Sequence, residues 1–392
     1  MSRTPLTPPF RADVVGSYLR PASLHEARRR FAAGAITQEE LTAIEDKAIT
    51  ELVARQKAAG LKAITDGEFR RSWWHLDFMW GLGGVEKAAL GHGYRFADME
   101  TRAETARLAG RISGENHPFL DHFRFLLRLA DETVVPRLTV PAPAQFFKEL
   151  CRPENLDSTN AVYPSRDDLL ADIASAYRVF IRELHALGCR NLQLDDCTWG
   201  MMVDPRYTNA GVAAKAETGC GCDHESATVI TGSVAELAEI LVALNNEAIA
   251  GAPADLALTT HVCRGNYRSH WAAQGGYAPI APYLFSRENV SAYYLEFDTD
   301  RAGDFSPLTQ VSGDKKVVLG LVSSKIGALE NKDAVVARVR EASLYLPLDR
   351  LCVSTQCGFA STEEGNSLTE DEQWAKIALV CAVAKEVWGS EG

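Results

Sequence analysis

Cysteine is scarce in this chain: nine residues in 392. That is far below the density at which disulfides staple a small secreted domain, so the thiols are read as free groups, open to metal binding or reaction. Long apolar runs are missing as well. No stretch approaches the ~20 residues needed to cross a bilayer, and mean hydropathy is −0.13. The opening MSRTPLTPPFRADVVGS has no apolar export core. These absences predict a cytoplasmic protein with no membrane partner. Positive charge is in deficit, 41 Lys and Arg against 52 Asp and Glu, for a net −11. Such a field repels phosphate backbones and argues against nucleic-acid binding. There is no convincing repeat of 20–50 residues. No Gly-x-Gly-x-x-Gly follows an early strand, which counts against a dinucleotide-binding sheet.

What is present is alternation. Eight short β-rich or continuously apolar runs read as strands: 13–16, 62–65, 137–140, 191–194, 257–262, 292–297, 316–321 and 351–355. Helical patterns separate most of them. Thr37-x-x-Glu40 reads as a capping box opening a helix to about Ala59, with Gly60 as its stop. The stretch 167–187 repeats that plan, with Gly188 as stop, and 233–250 and 333–344 add two further helices. Eightfold strand–helix alternation predicts one α/β domain over 1–392, a (β/α)8 TIM barrel; an open doubly wound sheet is the alternative. The stretch 72–132 is too long for one connection. It holds Trp73, Trp74 and Trp80, a Gly-rich run and a helix near 119–129. It is expected as a hairpin-and-helix insertion between strands two and three, either a wall of the site or a peripheral subdomain.

Function in such a barrel collects at the carboxyl ends of the strands. Residues expected there include Ser17, Glu68, Asp195, Asp196, His261, Cys263, Glu296, Asp298, Lys325 and Cys357. His261 and Cys263, two apart on strand five, present an imidazole and a thiol to the same face, a pair suited to Zn²⁺. Cys357 offers a third ligand, and Glu296 or an incoming group a fourth. The same pair also reads as a core histidine beside an inert thiol. Cys220, Cys222 and His224 form a rival, more compact cluster in a loop, and Cys151, Cys189, Cys352 and Cys381 read as core residues. Glu68 and Asp195 are either structural acids paired to Arg70, Arg71 or Lys325, or the binding site for an ammonium group on a thiol-bearing amino acid.

The set VGSYLRP, TDGEF, LQLDD, THVCRGN, YYLEF and STQCGF, spanning 16–358 in order, resembles the cobalamin-independent methionine synthase superfamily. The likeness is to its catalytic C-terminal barrel, in the compact single-barrel branch. The resemblance implies zinc held by His261, Cys263, Glu296 and Cys357. It implies that Ser17, Glu68 and Asp195 bind the amino-acid part of homocysteine, and that 5-methyltetrahydrofolate is the methyl donor. One departure stands out: the long enzymes carry a His-Ser pair after strand seven, where this chain reads LVSSK over 321–325, without histidine. The proton for the leaving folate nitrogen is therefore expected from Asp196, ahead of Asp298, with Lys325 third. A related branch opens epoxides with zinc-bound coenzyme M, and Arg20, Arg70 or Arg264 are the cations that a sulfonate would need. A zinc- or thiol-binding protein without catalysis is the remaining alternative.

Overall fold

The computed structural model describes residues 6–96, 99–204, 206 and 233–389. All eight expected strands are there: Ala12–Asp13, Ala63–Ile64, Leu138–Pro141, Asn191–Asp195, Ala257–Val262, Ala292–Glu296, Lys316–Val322 and Leu351–Thr355. They are numbered one to eight in that order below. Seven form a single parallel sheet in the order one, eight, seven, six, five, four, three. Strand two pairs in parallel with Val135–Pro136, the two residues just before strand three. Between strands one and two no ladder forms among the described residues. Two hydrogen bonds bridge the gap: Thr65 Oγ1 donates to the Gly16 carbonyl at 2.6 Å, and the Tyr18 amide to the Gly67 carbonyl at 3.1 Å. The architecture is α/β with a curled parallel sheet. Every residue of strands four, six and eight is buried, as a sheet covered on both faces requires.

Local chemistry sets the helices. Reciprocal capping boxes open Gln38–Ala58 (Thr37 with Glu40), Val234–Ile249 (Ser233 with Glu236) and Glu370–Trp388 (Thr369 with Glu372). Ser165 caps Arg166–Ala186, and Gly188, at φ +108°, turns the chain out of that helix toward strand four. The segment between strands two and three carries the helix Leu76–Gly81, an antiparallel pair of Gly83–Ala89 with Glu104–Ser113, and the helix Phe119–Arg128. Among the described residues, no helix is long and apolar enough to cross a membrane. Cys220, Cys222 and His224 lie outside the described residues.

Strands one and three are the two ends of the seven-strand ladder, and a buried ion pair joins them. Arg137 Nη2 reaches both oxygens of Asp13, at 2.9 and 2.8 Å, and Arg137 Nη1 donates to the Val14 carbonyl at 2.6 Å. Tyr294 of strand six donates its hydroxyl to Asp13 at 2.7 Å. Neither charged side chain is exposed. Removing one partner of such a pair strands the other charge, at a cost of ~3–5 kcal/mol. Arg137→Met is expected to lower unfolding free energy by that amount, read from urea denaturation.

His117 supplies a second test. Its Nε2 bonds the Phe78 carbonyl at 2.9 Å and its Nδ1 accepts the Phe119 amide at 3.1 Å, so the neutral ring is fixed in one tautomer. Burial pushes its pKa down from 6.5 to about 4. Below pH 6.5 the unfolded chain takes up a proton that the folded ring refuses, so this stability is complete above pH 6.5 and is lost as pH falls toward 4. The expected loss at pH 5.5 is roughly 1 kcal/mol. His117→Asn should flatten the pH dependence of the melting temperature over that interval, and an unchanged slope would contradict the assignment.

Candidate active site

The carboxyl ends of the strands open on a cavity of about 160 Å³. Strand five presents His261 and then Cys263, and the turn after strand eight presents Cys357. The ligand atoms of these three buried residues all lie within 4.8 Å of one another. His261 Nδ1 lies 3.2 Å from the Tyr294 carbonyl, which can only accept, so Nδ1 carries the proton. Nε2 is left as a bare lone pair, buried and without a hydrogen-bond partner. Contact with the Cys197 thiol and burial push the Cys263 thiol well above its usual range; contact with Cys263 and burial do the same to Cys357. One nitrogen and two sulfurs that ionise only beside a cation form a donor set suited to Zn²⁺.

Glu296 is not in this group. Its Oε2 accepts the Arg264 amide at 2.9 Å and its Oε1 is held by the Arg301 guanidinium. Burial raises its pKa, but Lys325, Arg301 and Arg264 outweigh that and hold the carboxyl below the usual range. Arg301 lies on a 3₁₀ turn, Asp300–Ala302, that folds back over the strand end.

Glu68 and Asp195 both line the cavity, as does Ser17. Glu68 stands on a tight turn in which Gly67 (φ +67°) and Glu68 itself (φ +61°) are both left-handed. The left-handed region costs a non-glycine residue of order 1 kcal/mol, and Asp66 holds the turn by accepting the Glu68 amide at 2.9 Å. Glu68 Oε1 accepts from Thr139 at 2.8 Å, with Arg71 3.4 Å away, while Oε2 is buried without a partner. Asp195 Oδ1 accepts from Gln193 at 2.8 Å. Burial raises both pKa values, and the charge of Glu68 lifts Asp195 further. Ser17 Oγ accepts the Ala360 amide at 3.2 Å, and Gly358 packs so closely that a Cβ there would lie 2.0 Å from that oxygen.

The two acids expected to move protons are placed elsewhere. Neither lines the cavity. Asp196 is fully buried, caps the helix Cys197–Met202 through Thr198, and accepts from Asn245 at 3.0 Å. Asp298 lies 3.5 Å from Arg301. Lys325 is buried, with its Nζ unpartnered, and is also outside the cavity lining. The three arginines named for a sulfonate are occupied: Arg20 on the Tyr18, Glu68, Ala360 and Arg71 carbonyls, Arg70 on Glu45 and Asp46, Arg264 on Gly275 and Tyr277.

Trp73 and Trp74, expected in an insertion that could wall the site, do line the cavity. Other lining residues were not singled out in the sequence: His75, Tyr94 and Phe96 from the same segment, and Gln145, Lys148 and Glu149 from the helix Pro143–Leu150. His75 contacts the Tyr94 hydroxyl at 3.2 Å, which donates to Glu149 at 2.7 Å, and burial, with Arg152 nearby, pushes the His75 pKa down to about 3. Cys197, directly after LQLDD, also lines the cavity; its position beside that motif was the available signal.

A curled parallel α/β sheet with an imidazole, two thiols and two acids around one cavity at its strand ends defines a class: an enzyme-type barrel-like protein with a candidate thiol–metal centre. No family model matches the chain. It is 41% identical over 382 residues to the uncharacterized protein YxjH of Bacillus subtilis, covering 97% of this chain and 95% of that one. A Listeria monocytogenes structure, assigned provisionally as a vitamin-B12-independent methionine synthase, is 35% identical with a TM-score of 0.71 and covers 97% of this chain and 99% of its own. A B12-independent methionine synthase from Shewanella sp. W3-18-1, in complex with selenomethionine, shares the fold at 18% identity and a TM-score of 0.68, over 97% of this chain and 98% of its own. The chain belongs to the cobalamin-independent methionine synthase superfamily.

Asp195 lends itself to a direct measurement. An isosteric amide keeps the acceptor for Gln193 and removes a buried acid whose ionisation is disfavoured. Because its folded pKa is raised, ionisation opposes folding as pH rises above the unfolded value. Asp195→Asn is therefore expected to stabilise the protein at pH 7 by about 1 kcal/mol, read from thermal unfolding. A loss of similar size would show that the carboxylate is paired.

Proposed function

We propose that this protein is a zinc-dependent methyltransferase that passes a methyl group from 5-methyltetrahydrofolate to the sulfur of homocysteine. In this reading the eight strands make one (β/α)8 barrel domain, with 72–132 inserted as a wall of the site. The observation that carries the proposal is that His261, Cys263 and Cys357 share one cavity with Glu68 and Asp195.

His261, Cys263 and Cys357 would hold the metal, and the fourth position is left to the substrate thiol, the arrangement of a catalytic zinc. Zinc there supplies a thiolate near neutral pH without a strong base. The remaining work falls to the chain. Glu68 and Asp195 take the substrate ammonium, a cation that lowers both raised pKa values. Ser17 sits beside the carboxylate end of the substrate. Trp74, Tyr94 and Phe96 exclude water and offer flat faces to a planar donor. Glu296 supports the Cys263–Arg264 segment, while Asp196 and Asp298 act through the helix and arginine that they hold.

Purified protein is expected to contain about one zinc per chain. The Cys263→Ser, Cys357→Ser double variant should lose it and stay folded. Full occupancy in that variant would move the site to Cys220, Cys222 and His224. Glu68→Gln should weaken homocysteine binding by ~2–5 kcal/mol with zinc retained, and binding by the parent should release protons at neutral pH, read by calorimetry in two buffers. No methionine from zinc-loaded protein with homocysteine and any methylated folate would overturn the donor assignment.

A further inference from the structure

We infer that Cys197 and Cys263 are a modification site: peroxide joins them in a reversible disulfide that withdraws Cys263 from the His261–Cys263–Cys357 group. The two sulfurs lie 2.9 Å apart, and the fold sets that distance. Strands four and five are parallel neighbours with Asp195 opposite His261, and the Asp196 amide donates to the His261 carbonyl at 2.8 Å. Two residues beyond that register, Cys197 and Cys263 face each other. From 2.9 Å the sulfurs need to approach by only about 1 Å to reach the ~2.0 Å length of an S–S bond. Gly200 then presses the helix Cys197–Met202 onto the Cys263 backbone: a Cβ at that position would lie 2.0 Å from the Cys263 carbonyl oxygen.

The pair is also asymmetric. Both line the cavity, but Cys263 is buried and belongs to the three-residue group, whereas Cys197 is half-buried and lies outside the group. An oxidant entering the cavity therefore meets Cys197 first. Its thiolate attacks one oxygen of hydrogen peroxide and the O–O bond breaks, giving a sulfenic acid and, after protonation, water. The Cys263 sulfur then displaces the sulfenic oxygen as a second water, and the S–S bond forms. Two thiols and one peroxide become one disulfide and two waters, and a dithiol reverses the change by exchange. The consequence for metal binding rests on the function proposed above, since only His261 and Cys357 would remain as ligands.

The test begins with reduced, metal-free protein and one equivalent of hydrogen peroxide. Free thiols should fall by two of the nine, a peptide carrying Cys197 should be found linked to one carrying Cys263, and dithiothreitol should restore both. Peroxide should also release zinc from the loaded parent. Cys197→Ala should hold its zinc equally well beforehand and release it about tenfold more slowly on oxidation. A Cys263–Cys357 link, or thiol loss without any crosslink, overturns the inference. So does zinc loss from Cys197→Ala before oxidation, which would make Cys197 a ligand. If the parent binds no zinc, the thiol count and peptide map still decide the disulfide, and it is the zinc proposal that fails.

Discussion

A charge pair buried out of water closes this fold. The seven-strand ladder leaves strands one and three as its ends, and Asp13 with Arg137 ties those ends across the interior. Desolvating both charges is costly, and the geometry recovers that cost because both Asp13 oxygens and all three Arg137 nitrogens have hydrogen-bond partners. Tyr294 carries the connection upward: its hydroxyl bonds Asp13, while its backbone carbonyl accepts from His261. One residue of strand six thus links the interior pair to the imidazole at the rim.

Much of the framework was legible because it is locally encoded. Strands five and eight match their apolar runs to the residue, and three capping boxes fix helix starts by a hydroxyl and a carboxylate three apart. Two of those boxes open helices near the expected positions, while Thr369 with Glu372 was present in the sequence and overlooked. Side-chain direction was harder to read. Asp195 and Asp196 are adjacent, so along an extended strand they point to opposite faces; only Asp195 reaches the cavity, and Asp196 turns to the helices, where Asn245 holds it. The surroundings of Glu296 were hidden for another reason. Its partner Arg301 is brought back by a short turn whose path no periodicity reveals.

The wall built from the segment between strands two and three gives the cavity its electrostatic character. Trp74 lies against His75, ring centroids 4.6 Å apart, and burial keeps the imidazole neutral. Glu149, Arg152 and the Tyr94 hydroxyl satisfy one another behind it. That side therefore offers apolar faces, whereas the opposite side offers two buried acids, Asp195 and Glu68, the latter with one oxygen unpartnered.

Strand one has a consequence for biosynthesis. Its ladder partner is strand eight, with Ala12 opposite Val353. A ribosome adding ~5–20 residues per second needs on the order of 20–70 s to make the intervening chain. Through that interval the opening residues have no sheet to join, although Arg137 has long since emerged. Until strand eight is made, strand one has no ladder partner, so the seven-strand sheet is completed last at its first-made strand.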